Sequence, residues 1–157
     1  MKAVVSDATP IRYLTEIRAI QLLPYLFEKV FIPNAVFREL THSRTPKIVH
    51  DFIMSSSEWL EVRTVISTDL SLSSLDPGEQ EAILLTCEIR AEAILLDEKA
   101  ARNAAERRGI RCIGTLRVLS EGAKEGQIDI HRAISRLKQT TFRANPALFE
   151  RAVSGSL

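Results

Sequence analysis

Two short apolar runs of the chain each end in an aspartate, Ala3-Val4-Val5-Ser6-Asp7 and Ala93-Ile94-Leu95-Leu96-Asp97. If the two runs are neighbouring parallel strands, their carboxylates meet at one edge of a sheet. Carboxylates a few ångströms apart raise each other's pKa unless a cation neutralises them. An oxygen-only donor set with no convergent His or Cys favours Mg2+ or Mn2+ over zinc. Such an ion positions an attacking water and stabilises charge on a phosphoryl group. Each acid also has a plainer use. Asp7 can cap a helix beginning near Thr9, and Asp97 can cap one beginning at Glu98. Asp76-Pro77-Gly78-Glu79 fits a capping box with Pro at the first helical position. Glu39, taken alone, reads as an exposed helix residue.

Other chemistries lack their residues. His42, His50 and His131 fall on or near helix ends with no common spacing. There is no nucleophile elbow, phosphate-binding glycine loop or CxxC pair. Ser6 is better read as a turn hydroxyl than as a nucleophile. One Trp and two Tyr make a poor inventory for a sugar site. Cys87 and Cys112 lie far apart and read as small buried hydrophobes in a reducing compartment. No uncharged apolar stretch reaches 18 residues, and the run before Asp7 is too short for a signal peptide. A cytoplasmic protein with no membrane association is expected.

The elements that must position the acids follow from hydrophobic patterning. The 157 residues suit one domain, 1–157, with a single sizeable core. Strands are predicted at Ala3–Ser6, Lys29–Ile32, Trp59–Val65, Ala93–Leu96 and Ile110–Ile113. Helices are predicted at Thr9–Arg18, at Ala19–Phe27 with Pro24 dividing it, after Pro33 through Glu39, and at Pro46–Ser55. Further helices run from Asp76 to about Arg90, over Glu98–Arg108, and over about 115–125, 129–140 and 146–153. The Ser-rich stretch 66–75 reads as linker-like. Short apolar strands alternating with helices indicate an α/β domain with a mostly parallel sheet of four to five strands. Ligands of such sheets bind outside the carboxyl ends of the strands, where both aspartates fall.

Charge is divided along the chain. Residues 1–98 carry 9 Lys/Arg against 15 Asp/Glu, a net of −6, whereas residues 99–157 carry 12 against 5, a net of +7. An acidic part joined to a basic part suits a metal site beside a polyanion-binding surface. A solvated outer face on the C-terminal helices explains the basic excess equally well.

Taken together, the motifs resemble the PIN domain, and more closely a PIN-like prokaryotic group related to VapC toxins. The resemblance is carried by Val-Val-Ser-Asp7-Ala-Thr-Pro-Ile, Ile-Pro-Asn-Ala-Val-Phe-Arg-Glu39-Leu and Leu-Asp-Pro-Gly-Glu79-Gln-Glu-Ala-Ile. Leu-Leu-Asp97-Glu-Lys-Ala-Ala-Arg102, the run from Gly109 through Leu119, and the ending Phe-Arg-Ala-Asn-Pro-Ala-Leu-Phe extend it over nearly the whole chain. It implies a three-layer α/β/α fold and Mg2+- or Mn2+-dependent hydrolysis of single-stranded or structured RNA. It also implies a toxin held inactive by a small antitoxin, and a homodimer. By position Asp7, Glu39, Glu79 and Asp97 are the implied catalytic and metal-binding acids. Glu98 is a weaker additional acid, and Glu81 competes with Glu79 for the third place. Thr9 stands where relatives usually have Asn or Ser, and Glu79 where typical VapC toxins have Asp. Arg102, one turn past Asp97, is a candidate phosphate contact or an i, i+4 partner of Glu98. Two other readings remain: a catalytically silent module that binds RNA or protein, and a DNA-directed or flap-type nuclease. The paired aspartates give one further expectation. Asp7→Asn and Asp97→Asn should both abolish metal-dependent cleavage while leaving the metal-free fold no less stable.

Overall fold

Val4 and Val5 are both fully buried, and they point to opposite faces of the central strand β1 (Ala3–Ser6). The computed structural model describes residues 2–55 and 57–157. The same alternation runs through β2 (Lys29–Pro33) and β4 (Ala93–Leu95). Val4, Val30, Ile32, Ala93 and Leu95 enter one apolar core, while Val5, Phe31 and Ile94 enter the other. With β3 (Leu60–Arg63) and β5 (Cys112–Ile113) they form a five-stranded sheet in the order β3-β2-β1-β4-β5. Every pairing is parallel.

A sheet buried on both faces needs helices on both. The first core is closed by α1 (Ala8–Glu16), α2 (Leu22–Leu26), α3 (Asn34–Leu40) and α4 (Lys47–Met54), together with α7 (Thr115–Lys124), α8 (Ile130–Lys138) and α9 (Pro146–Ser154). The second is closed by α5 (Pro77–Ile89) and α6 (Lys99–Glu106). The layers are therefore α/β/α, as the family resemblance implies. Helix starts follow the local chemistry. Pro77 and Pro146 open α5 and α9, and the side chains of Asp129 and Asn145 cap α8 and α9. Pro24 lies inside α2 and confines it to five residues. Among the described residues no helix is long and apolar enough to cross a membrane.

The stretch 66–75 is not the free linker its composition suggests. The Glu88 side chain accepts hydrogen bonds from the amides of Ile66 and Ser67 and from the Ser67 hydroxyl. Asp69 pairs with Arg108 at 2.6 Å and caps a short 3-10 turn, Leu70–Leu72, whose Leu72 is buried in the second core. One buried leucine and two polar tethers outweigh the serines. Of the predicted strands, Ala3–Ser6 is found with its bounds and Lys29–Ile32 extends to Pro33, while Trp59–Val65, Ala93–Leu96 and Ile110–Ile113 shorten to Leu60–Arg63, Ala93–Leu95 and Cys112–Ile113.

The strand order reverses between β1 and β4: the chain moves outward from β1 through β2 to β3, then returns to β1's other side. A crevice opens at such a switch point, beyond the carboxyl ends of the two strands. Asp7 and Asp97 follow β1 and β4 at this crevice.

Close packing on the other side of the sheet can be tested at Gly122 of α7. A Cβ there would lie 2.6 Å from Cδ2 of Leu22, itself buried in the core. Gly122→Val is expected to lower unfolding free energy by about 1–3 kcal/mol, read by urea denaturation. An unchanged midpoint would contradict this contact.

Candidate metal centre

Asp7 is drawn in by the backbone. Its N–H donates to Leu95 O at 3.0 Å, extending the β1–β4 ladder by one residue. Its side chain is 5% exposed, and although it occupies the position before α1 it caps nothing. The first turn of α5 lies directly on it: a Cβ on Gly78 would be 3.4 Å from Asp7 Oδ1 and 3.5 Å from Asp76 Oδ1. Burial, chiefly, pushes the Asp7 carboxyl up to about 8, and the charges of Asp76, Glu39 and Glu79 add to it. The Ala8 amide offsets part of the rise.

The other acids arrive from separate elements. Glu39 lies on α3, raised by burial and by Asp76, with Arg12 opposing. Glu79 lies in the first turn of α5 and is buried. It forms the capping box that the sequence suggests: Asp76 N donates to Glu79 Oε2 at 3.1 Å, and Glu79 N donates to Asp76 Oδ1 at 2.8 Å. Glu79 nevertheless belongs to the acid cluster too. Burial lifts it to about 7 against the pull of the Asp76 amide, and Asp76 and Glu98 repel its charge.

Asp97 behaves differently from its counterpart. It caps a helix, but α7 and not α6. Thr115 N donates to Asp97 Oδ1 at 2.9 Å and Thr115 Oγ1 to Asp97 Oδ2 at 2.6 Å. Gly114, at the capping position of α7, has no side chain of its own, so Asp97 supplies the cap from the next strand. Its carboxyl is raised by burial, with the two Thr115 bonds and Arg102 opposing and Glu98 adding to the rise.

The structure gives Glu81 and Arg102, two residues whose roles the sequence left open, definite local partners. Glu81 turns away from the acids: it accepts from Ala35 N at 3.1 Å, at the start of α3, and pairs with Arg38 at 3.7 Å. Arg102 forms no ion pair with Glu98 among the described residues. Its Nη1 donates to Leu96 O at 3.4 Å, and it approaches Asp97 past Gly114, whose Cβ would lie 3.0 Å from Arg102 Nη1 and 3.1 Å from Asp97 Oδ1. Thr9 lines a recess of about 300 Å3 with Glu39, Arg12, His42 and Arg44. Asp76 is the acid that sequence reasoning treats only as a cap. Its electrostatic reach to Asp7, Glu39 and Glu79 makes it a fifth member of the cluster. The only sequence signal was its place three residues before Glu79.

Among the described residues no three Asp, Glu, His or Cys side chains are grouped tightly enough to wrap one ion. The fit to a divalent cation therefore rests on donor type and charge. Carboxylate oxygens suit Mg2+ or Mn2+, and Mg2+ is commonly held by one or two carboxylates with waters completing the shell. A cation would also supply the countercharge that burial denies Asp7 and Glu79, and would offset the repulsion their neighbouring acids add.

The raised acids set a pH dependence. An acid whose folded pKa exceeds its unfolded value binds more protons folded, so stability falls as pH rises between the two values. For Asp7 that window runs from 3.8 to about 8. Metal-free protein should lose thermal stability from pH 5 to pH 8, with a shallower slope in Asp7→Asn; an equal slope would contradict the placement of Asp7. The cap adds an expectation at Asp97. Asn can still accept from Thr115, so Asp97→Asn and Asp7→Asn should both leave metal-free stability unimpaired, whereas Asp97→Ala, which removes the cap on α7, should cost about 1 kcal/mol.

Residues 3–156 match the DUF3368 family model, described as a PIN domain. A PilT N-terminus domain protein, SSO1118, from the hyperthermophilic archaeon Sulfolobus solfataricus P2 has a similar fold at a TM-score of 0.52 and 18% identity, covering 77% of this chain and 92% of that one. No curated protein matches the chain. PIN domains are a nuclease-type fold whose members typically use divalent metals. With the family model spanning all but the ends, and an α/β/α fold that gathers acids at the carboxyl edge of its sheet, the chain belongs to the PIN domain family.

Proposed function

We propose that this protein is a Mg2+- or Mn2+-dependent endoribonuclease, the toxin of a type II toxin–antitoxin pair. The observation that carries the reading is Asp7. A nearly fully buried carboxylate that caps no helix and forms no ion pair among the described residues, with three acids around it, does nothing for the fold. Perturbed groups of this kind concentrate at functional sites.

In this reading Asp7 and Asp97 hold the ion, with Glu39 and Glu79 engaging it directly or through water. Held by these acids, a divalent ion would supply an activated water and neutralise charge on the phosphoryl group. Burial of Asp7 excludes bulk solvent and strengthens its interaction with a cation. Arg102, beside Asp97 and in no ion pair among the described residues, contacts the phosphate. Thr9 offers a hydroxyl on the Glu39 side. Cations stand on both sides of the acids, Arg12 and Arg44 toward α1 and Arg102 toward α7, which supports a strand that passes through and is cut internally. The toxin role, a small antitoxin inserting near the acids, a homodimer and a cytoplasmic setting rest on the resemblance to VapC-related proteins.

The test is cleavage of single-stranded RNA in Mg2+ or Mn2+ by wild type, Glu79→Gln and Glu81→Gln. Gln keeps the capping box at 79, so Glu79→Gln should lose activity by orders of magnitude at little cost in stability. Glu81→Gln should retain most activity. The reverse pattern would move the third acid to 81. Wild-type protein that neither cleaves RNA nor gains thermal stability in millimolar Mn2+ would leave the silent-module reading.

A further inference from the structure

Beyond Asp97 the surface opens into a cleft of about 480 Å3 between α6, α7 and α9, a volume within the range of small-ligand sites. Lys99, Arg102, Arg117, Arg143 and Arg151 line it, and none of them forms an ion pair among the described residues. Besides Asp97 the only acid in the lining is Glu106. Five cations that repel one another across one opening are a standing electrostatic cost to the free protein, and an anion relieves it.

Three of these arginines are already oriented. One nitrogen of each donates to a backbone carbonyl: Arg102 to Leu96 O at 3.4 Å, Arg143 to Thr140 O at 3.1 Å and Phe142 O at 3.0 Å, and Arg151 to Ser156 O at 3.1 Å. A guanidinium has five donors, so each keeps several for a second partner, and less side-chain entropy is lost when that partner binds. The floor between them is apolar. Leu116, Phe142, Leu148 and Leu157 form it, and Leu148 remains 38% exposed. A cationic rim over an apolar floor fits a ligand with a flat apolar face and a phosphate, which is an unstacked nucleotide. Bases in a duplex are paired and stacked inside it, and they cannot reach such a floor.

We propose that this cleft binds one unstacked nucleotide of a single-stranded RNA, directly beside the phosphate that faces the acid cluster. The base lies against Leu148 and its neighbours, and Arg117 and Arg143 hold the flanking phosphates. The site deepens the nuclease reading and rests on it for the identity of the strand. It makes the nucleotide on the Asp97 side the one whose identity matters. An acidic peptide satisfies the rim but not the floor, and its carboxylates are repelled by Asp97 and its neighbouring acids.

The experiment is fluorescence anisotropy with a labelled 12-nucleotide RNA in EDTA, so that binding is measured without cleavage. The ligands are the single strand, the same sequence as a duplex, and poly-L-glutamate as competitor. The proteins are wild type, Arg143→Ala, Leu148→Asp and Arg132→Ala, the last an exposed cation on α8 outside the cleft. Both cleft positions are exposed, so the variants should keep the fold, which a melting curve checks. The single strand should bind at least about tenfold tighter than the duplex, and Arg143→Ala and Leu148→Asp should each weaken it about tenfold. Arg143→Ala should also reduce the slope of log affinity against log salt by about one contact. Arg132→Ala should leave affinity near wild type. Equal affinity for duplex, or an equal loss in Arg132→Ala, would reduce the cleft to general positive charge and overturn the proposal. Effective competition by poly-L-glutamate without single-strand preference would assign the cleft to an acidic protein partner instead. Cleavage in Mn2+ is read in parallel. Selective binding with no cleavage sinks the nuclease reading and leaves the cleft standing, whereas cleavage with unaltered KM in both cleft variants sinks the cleft alone.

Discussion

A carboxylate taken out of water without a countercharge must either keep its proton or find a cation. Asp7 stands under that constraint because of where the backbone puts it. Its N–H continues the β1–β4 ladder, so the residue cannot move outward without giving up a sheet hydrogen bond. The first turn of α5 closes over it, and that turn is itself fixed by the Asp76–Glu79 capping box. The box thus has two consequences. It starts α5, and it places two further negative charges against a buried one. Everything else at the carboxyl edge of the sheet is arranged around this unfavourable group.

The two sides of the crevice solve the problem of negative charge in different ways. On the β1 side, acids face one another and are left protonated or to be neutralised. On the β4 side, Asp97 is given donors at once, the amide and hydroxyl of Thr115, and a guanidinium beyond. Gly114 matters here for its lack of a side chain and not for its backbone, which is ordinary at φ −87. A methyl group at 114 would press on both Asp97 and Arg102. Asp97 from the acidic part of the chain and Arg102 from the basic part therefore meet at this residue.

The strand ends were legible because a buried parallel strand is a run of apolar residues, and the residue after it emerges at the edge where ligands bind. That logic points to Asp7 and Asp97 without any structure. It could not say which way a helix is turned. Glu79 and Glu81 differ by about 200° around α5, and only the packing of α5 against α3 decides that Glu81 meets Ala35 and Arg38 while Glu79 meets the acids. Asp76 was hidden for a related reason. A residue with one sufficient local job gives no sign of a second, long-range one. The tethering of 66–75 was equally invisible, since Glu88 and Arg108 lie 21 and 39 residues from their partners.

The borrowed cap on α7 has an evolutionary consequence. A lineage that ceased to use its acids would be free to discard Asp7, because nothing in the fold leans on that carboxylate. It could not discard Asp97 so easily, since α7 would lose its first-turn acceptor. Two routes are open to such a lineage: to retain Asp97 as a fossil of the active site, or to replace Gly114 with a serine or aspartate that caps α7 locally. The second route fills the gap through which Arg102 reaches Asp97, so it closes the way back. An aspartate surviving at 97 beside a lost acid at 7 would then be accounted for by the cap on α7 alone.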